Sequence, residues 1–302
     1  VLPEGRLWEV ARETLNPLNH VKPLSMRNLI TPVLFLSALA TFAQVYPEVG
    51  HGLPHTLDPS EVPLIESYRN SRAGDRGIEA PPSWVPRTMA EWEEVQSVIV
   101  TWTDYESILK QIVRYAKDEC EVIIACTDSN AVITYLNGAS GGGPLPDLDA
   151  IRFIEVPYNS IWGRDYGAET MYKNEVDSLY LMDWIYNRPR PDDDVMPESI
   201  AVFKGLPIFS ATQAPYDVVH TGGNFMADGF GTAFSSYLVY DENGPNGNYN
   251  QTVKTQTQVD DLMEQWMGIT QYITMPTLQY DAIHHIDMHM KLLDEERLLV
   301  GE

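Results

Sequence analysis

Residues 95–102 read VQSVIVTW, residues 105–117 read YESILKQIVRYAK, and residues 122–126 read VIIAC. The first and third are short apolar runs rich in β-branched side chains, the pattern of strands buried on both faces. The segment between them puts Ile108, Ile112 and Tyr115 near helical spacing, and Asp104 stands where an N-cap belongs. Strand, helix and strand follow one another directly, and the pattern continues outward. Asp128 opens a short helix reaching Leu136, the run Ser140-Gly-Gly-Gly-Pro breaks it, and residues 151–157 (IRFIEVP) return to strand. Further strands are expected at 179–184, 201–203, 232–238, 272–275 and 298–300, with a helix at 256–266. This alternation makes the expected fold class α/β. Strand-helix-strand units recur without any identity repeat, which is weak evidence for a repeated module.

The chain has 302 residues, 43 acidic and 20 basic, for a formal net charge of −23. Its length suits two domains or one larger barrel or propeller. A hydrophobic content of 44% with 10% aromatic residues supports a packed core and excludes disorder for most of the chain. The acidic excess argues against nucleic acid and anionic membrane partners, which recruit clustered Lys and Arg, and favours a cationic substrate. Cys120 and Cys126 flank the apolar run, so roughly 20 Å of strand separates them and a disulfide is out of reach. Single thiols within the fold are the expectation.

Met26 starts the sequence MRNLITPVLFLSALATFAQ: one Arg, an apolar stretch, then small residues ending at Ala43. That layout is a secretory signal peptide over residues 26–43, cleaved after Ala43 or Ala40. It is too short to span a bilayer well, and Pro32 with the lack of a polar face counts against a buried amphipathic helix. Residues 1–25 then read as an upstream mis-start. The mature protein is expected to be secreted or periplasmic, with no membrane anchor. Residues 44–85 are rich in Pro, Gly and charge and read as an extended lead-in or pro-segment, leaving 86–302 as the globular domain.

Three constellations carry chemistry. Trp162-Gly-Arg-Asp165-Tyr-Gly sets a flat apolar wall near a carboxylate, a pairing that suits a planar cation, although an Asp beside an Arg is also an ordinary ion pair on a turn. In His220-Thr-Gly-Gly223-Asn224 the paired glycines let backbone approach a ligand closely, and a bulge or tight hairpin explains them equally well. In His284-His285-Ile-Asp287-Met-His289, read as a strand, His285, Asp287 and His289 share one face. Such a set serves general acid/base work beside a cation anchor, or a divalent metal.

Taken together the motifs resemble the bacterial-type peptidylarginine deiminase and agmatine deiminase family. The WxRDxG turn at 162–167, the GGN-x-x-x-DG segment at 222–229 and the HxD pair at 285 and 287 occur in the family's order, and the resemblance covers about 86–302. It implies a five-bladed α/β propeller of ββαβ modules, the pentein fold, and hydrolysis of a guanidinium group with no cofactor and no metal. In that family a Cys thiolate attacks the guanidinium carbon, ammonia leaves, and water hydrolyses the thiouronium to the ureido product. By resemblance Asp165 and Asp287 bind the guanidinium, His285 is the acid and base, and Trp162 walls the site. Gly223 and Asn224 line it, and Arg188 and Arg190 form a clamp for the substrate carboxylate.

Two departures from the family pattern matter. Thr221 stands where the agmatine and free-arginine branches carry an acidic residue, which, with the export signal, favours peptidyl arginine as substrate and peptidyl citrulline as product. Neither Cys120 nor Cys126 matches the family's nucleophile, which lies near the end of its catalytic domain. The chain is therefore expected to be a C-terminally incomplete fragment, lacking its last modules, and inactive as it stands. Competing readings are an agmatine deiminase giving N-carbamoylputrescine for putrescine synthesis, a metallohydrolase using His285, Asp287 and His289, and a non-catalytic secreted binding module.

Overall fold

The computed structural model describes residues 57–71, 76–173, 178–249, 252–278, 281 and 283–301. All belong to the unit Pro47–Glu302; the unit Val1–Tyr46, with the expected upstream extension and signal segment, lies outside the described residues. Among the described residues no helix is long and apolar enough to cross a membrane.

The lead-in is not extended throughout. Helix α1 (Ile65–Ser71) buries Tyr68, whose hydroxyl donates to the Tyr186 carbonyl at 2.8 Å. Glu61 takes the Arg190 guanidinium, and Arg76 is paired with Asp194 and Glu198. Three buried polar anchors thus hold a segment whose composition carries no apolar period.

After β1 (Arg87–Thr88), the strands β2 (Ser97–Thr101), β3 (Glu121–Cys126) and β4 (Ile151–Glu155) form a parallel sheet in that order. Helices α2 (Glu106–Ala116) and α3 (Ser129–Asn137) make the crossovers. Strand β3 is central and apolar on both sides because both are covered. Val122, Ile124 and Cys126 pack with Leu109, Val113, Val132 and Leu136 of the helices, whereas Ile123 and Ala125 pack with Tyr166, Leu181 and Ile200. Asp128 caps α3 as expected, accepting the amides of Asn130 and Ala131. Asp104 does not cap α2. It and Tyr105 both hold positive φ (41° and 48°), and the helix starts at Glu106 without a side-chain cap. Leu109 and Val113 fill the sheet face, so Ile108, Ile112 and Tyr115 point outward.

A short helical turn, α4 (Gly163–Tyr166), leads into a second sheet of β1, β5 (Glu169–Tyr172), β6 (Leu179–Tyr186) and β7 (Ile208–Ala211). Here β5 is antiparallel to β1 and β6, while β7 is parallel to β6 through α5 (Pro191–Asp194) and α6 (Met196–Lys204). Residues 201–203, expected as strand, lie inside α6. Pro197 sits in its first turn, Gly205 ends it at φ 66°, and Met196, Ile200 and Ala201 turn inward while Val202 stays exposed. A three-residue apolar run has no readable period, so packing decides. Strand β8 (Val219–His220) pairs with the end of β6.

The third sheet repeats the second. Strands β9 (Met226–Ala227) and β10 (Thr232–Ser236) are antiparallel, α7 (Leu238–Asn243) and α8 (Gln256–Met267) cross over, and β11 (Gln271–Met275) returns parallel to β10. Thr255 and Gln258 close a capping box at the start of α8. Strands β12 (Met290–Leu292) and β13 (Leu298–Val300) form an antiparallel pair. An antiparallel pair followed by a helix and a parallel strand thus occurs twice, giving a mixed α/β fold.

Candidate active site

Each candidate residue is placed by a separate local device. Trp162-Gly-Arg-Asp165-Tyr-Gly forms α4, where the Asp165 amide donates to the Trp162 carbonyl and the Gly167 amide to that of Gly163. Tyr166 pins this turn to β2, its hydroxyl meeting Thr101 Oγ1 at 2.6 Å and the Ser160 carbonyl at 3.2 Å. Asp193, buried, accepts the amides of Asn159 and Ser160 and the Ser160 hydroxyl, fixing the approach to α4. Trp162 is half-buried against the same cluster as Tyr166.

The paired glycines follow β8, which Asn243 clips to α7 by accepting the Val219 amide and donating to the carbonyls of Val219 and Val239. A Cβ on Gly222 would overlap the Arg164 carbonyl, so this turn can lie against α4 only as glycine. On Gly223 a Cβ would lie 2.5 Å from His285 Nδ1, 2.7 Å from Asp165 Oδ1 and 3.3 Å from Asp287 Oδ2. Three polar side chains from two distant segments therefore converge on the bare face of Gly223. Asn224 is buried beside it: its Oδ1 accepts the Ser236 amide, and its NH2 has no hydrogen-bond partner among the described residues.

The HxD segment is not the expected strand. His284 takes φ 61°, His285 is extended, and Ile286–Met288 form a 3-10 turn before β12. Ile286 buries itself with Met226, Met290 and Leu292, and this anchor sets the turn. His285 and Asp287 consequently meet at Gly223, while His289 turns away to Asp281 at 2.8 Å. The metal reading of His285, Asp287 and His289 is corrected by this divergence, and no group of His, Cys, Asp and Glu among the described residues is arranged to hold a metal.

His285 Nδ1 and Asp165 Oδ1 are 3.4 Å apart. Burial pushes the Asp165 carboxyl up, and Arg188, the Gly223 amide and Thr221 restrain the rise. Asp287 is open to solvent on one side; desolvation on the other and the nearby Asp165 push it up to about 6. Two carboxylates at one spot each raise the cost of ionising the other, and a cation between them removes that cost.

The two arginines part company. Arg188 is buried, donates to the Asn187 carbonyl at 2.6 Å, and its charge acts on Asp165 and Glu242. Arg190 is spent on Glu61 at 2.7 Å. Cys126 lies on the helix-facing side of β3, opposite the side that packs on Tyr166, and burial pushes its thiol up. Cys120 is half-buried in the turn before β3. Glu91 carries no sequence signal: its carboxylate takes Arg164 at 2.7 Å and also pairs with Lys291, tying α4 to β12. No spacing links residues so far apart in sequence.

Solved structures share this architecture. One assigned as a peptidyl-arginine deiminase is 19% identical with a TM-score of 0.58, over 72% of this chain and 65% of that one. The C. jejuni agmatine deiminase is 19% identical with a TM-score of 0.55, over 71% and 63%. The Enterococcus faecalis agmatine deiminase is 15% identical with a TM-score of 0.55, over 70% and 60%. The chain thus spans less than two thirds of the length of each. Its residues 87–302 match the Porphyromonas-type peptidyl-arginine deiminases, and the chain belongs to that family of guanidino-group deiminases.

Proposed function

We propose that this chain carries the guanidinium-recognition site of an exported hydrolase converting peptidyl arginine to peptidyl citrulline and ammonia. The observation that supports this reading is the convergence of Asp165, Asp287 and His285 on the side-chain-free face of Gly223. A planar guanidinium there accepts both carboxylates in charge-assisted bonds, each worth about 1.5–3 kcal/mol. Trp162 walls the cation and Asn224 offers its unpartnered amide. Arg188 is the arginine of the pair assigned to the substrate's backbone or carboxylate, with Arg190 anchoring the loop. In the reaction a thiolate from a cysteine other than Cys120 and Cys126 bonds to the guanidinium carbon. The tetrahedral adduct expels ammonia with a proton from His285, and His285 then takes a proton from the water that releases the ureido product. The repeated units are assigned to blades of a five-bladed propeller, and residues 26–43 to an export signal.

Calorimetry with blocked arginine, agmatine and blocked citrulline tests the reading. Both guanidinium compounds should bind, the neutral ureido compound should not, and Asp165→Asn should cost at least about tenfold, or 1.4 kcal/mol. Tighter binding of agmatine than of blocked arginine transfers the substrate assignment to agmatine. Equal binding of blocked citrulline, or no binding of either cation, overturns the proposal.

A further inference from the structure

Residues 186–194 leave the end of β6 and enter α5, and Asp194 Oδ1 closes the stretch on itself by accepting the Tyr186 amide at 2.9 Å. Every fourth residue of it is held by the lead-in. The Tyr68 hydroxyl donates to the Tyr186 carbonyl at 2.8 Å, and the Glu61 carboxylate accepts from Arg190 Nε at 2.7 Å. The Arg76 guanidinium donates to the Asp194 carboxylate at 2.6 Å and to the Asp194 carbonyl. All six side chains are buried. Between these holds lies Arg188, whose charge acts on the Asp165 carboxyl. A loop left to itself is mobile, and a buried ion pair is a weak source of net stability that still demands one geometry.

We propose that the lead-in is a positioning strap of the substrate site, in which Glu61, Tyr68 and Arg76 hold 186–194 in the arrangement that presents Arg188 to the carboxylate end of an arginine ligand. The lead-in is then part of the working protein rather than a segment to be discarded. This inference rests on the guanidinium reading of Asp165 and Asp287. The three lead-in residues are positioning residues, since each acts through the loop and not on the ligand. Loosening one hold lowers the fraction of chains with Arg188 in place, and the affinity of a ligand that uses Arg188 falls by that fraction. A bare guanidinium is spared, because Tyr166 pins α4 to β2 separately and Asn187 stays tied to Glu242 of α7.

Calorimetry on the 302-residue chain with Nα-acetylarginine, which has a free carboxylate, and ethylguanidine, which has none, tests this. The wild type should bind Nα-acetylarginine more tightly. Tyr68→Phe should weaken Nα-acetylarginine about threefold and Glu61→Gln at least about tenfold, with ethylguanidine changed less than about twofold in both. Melting curves establish that each variant is folded at the assay temperature. Tyr68→Phe keeps its ring packed with Ile185, Val219 and Tyr249, so it decides alone if Glu61→Gln does not fold. Unchanged Nα-acetylarginine affinity in folded variants, or an equal loss of both ligands, would overturn the strap while leaving the guanidinium site standing. Failure of ethylguanidine to bind the wild type would overturn the guanidinium reading and the strap with it.

Discussion

Affinity for a guanidinium ligand should fall about tenfold between pH 7 and pH 5, and Asp287 should account for most of the slope. Its carboxyl is pushed up to about 6 by desolvation and by the neighbouring Asp165. At pH 7 roughly nine tenths of it is ionised, and at pH 5 roughly one tenth. If the ligand binds the ionised carboxyl, apparent affinity follows that fraction, a change of about 1.4 kcal/mol. Asp165 is also raised, chiefly by burial, so it contributes with the same sign. The empty fold behaves oppositely: a carboxyl with a raised folded pKa favours the folded state in acid, and that contribution is lost as pH rises through about 6. Ligand binding should accordingly expel protons near pH 6, and less so at pH 8. Isothermal titration of blocked arginine from pH 5 to 8, at constant ionic strength and in buffers of differing ionisation enthalpy, reads both affinity and proton release. Asp287→Asn should lower the affinity at pH 7 and flatten most of the profile. A flat wild-type profile, or an unchanged slope in Asp287→Asn, would refute the assignment of Asp287 to the cation site.

Gly223→Ala should reduce ligand affinity at least about tenfold and lower the thermal midpoint as well, because its methyl would overlap the buried His285 and Asp165 side chains; undiminished binding would separate the glycine from the site. Glu61→Ala should destabilise the fold by about 3 kcal/mol in urea titration, since it removes the carboxylate paired with the buried Arg190 guanidinium, and a loss below 1 kcal/mol would mean the lead-in is not part of the folded unit. The 302-residue chain should release no ammonia from blocked arginine or agmatine, because Cys126 sits on the wrong side of β3 with a raised thiol pKa. Turnover abolished by Cys120→Ser or Cys126→Ser would show that the nucleophile is in this chain after all.

Runs such as VIIAC and helices such as α3 and α8 were legible from sequence because their causes are local: period, β-branching, a capping Asp, a capping box. The chemistry-bearing residues were legible as types for the same reason, since a Trp near an Arg-Asp pair or a His-x-Asp is visible in one dimension. What the sequence could not determine is where those side chains point. His285 and Asp287 were expected on a strand with His289; the burial of Ile286 made the segment a turn and sent His289 to Asp281. Residues 201–203 became helix because Ile200 and Ala201 had a core to fill. Arg190 was spent on Glu61, and Glu91 gained a role, through contacts across long stretches of chain. The meeting of Asp165, Gly223 and Asp287 belongs to the tertiary structure alone, because side chains more than fifty residues apart in sequence adjoin only after three sheets have packed.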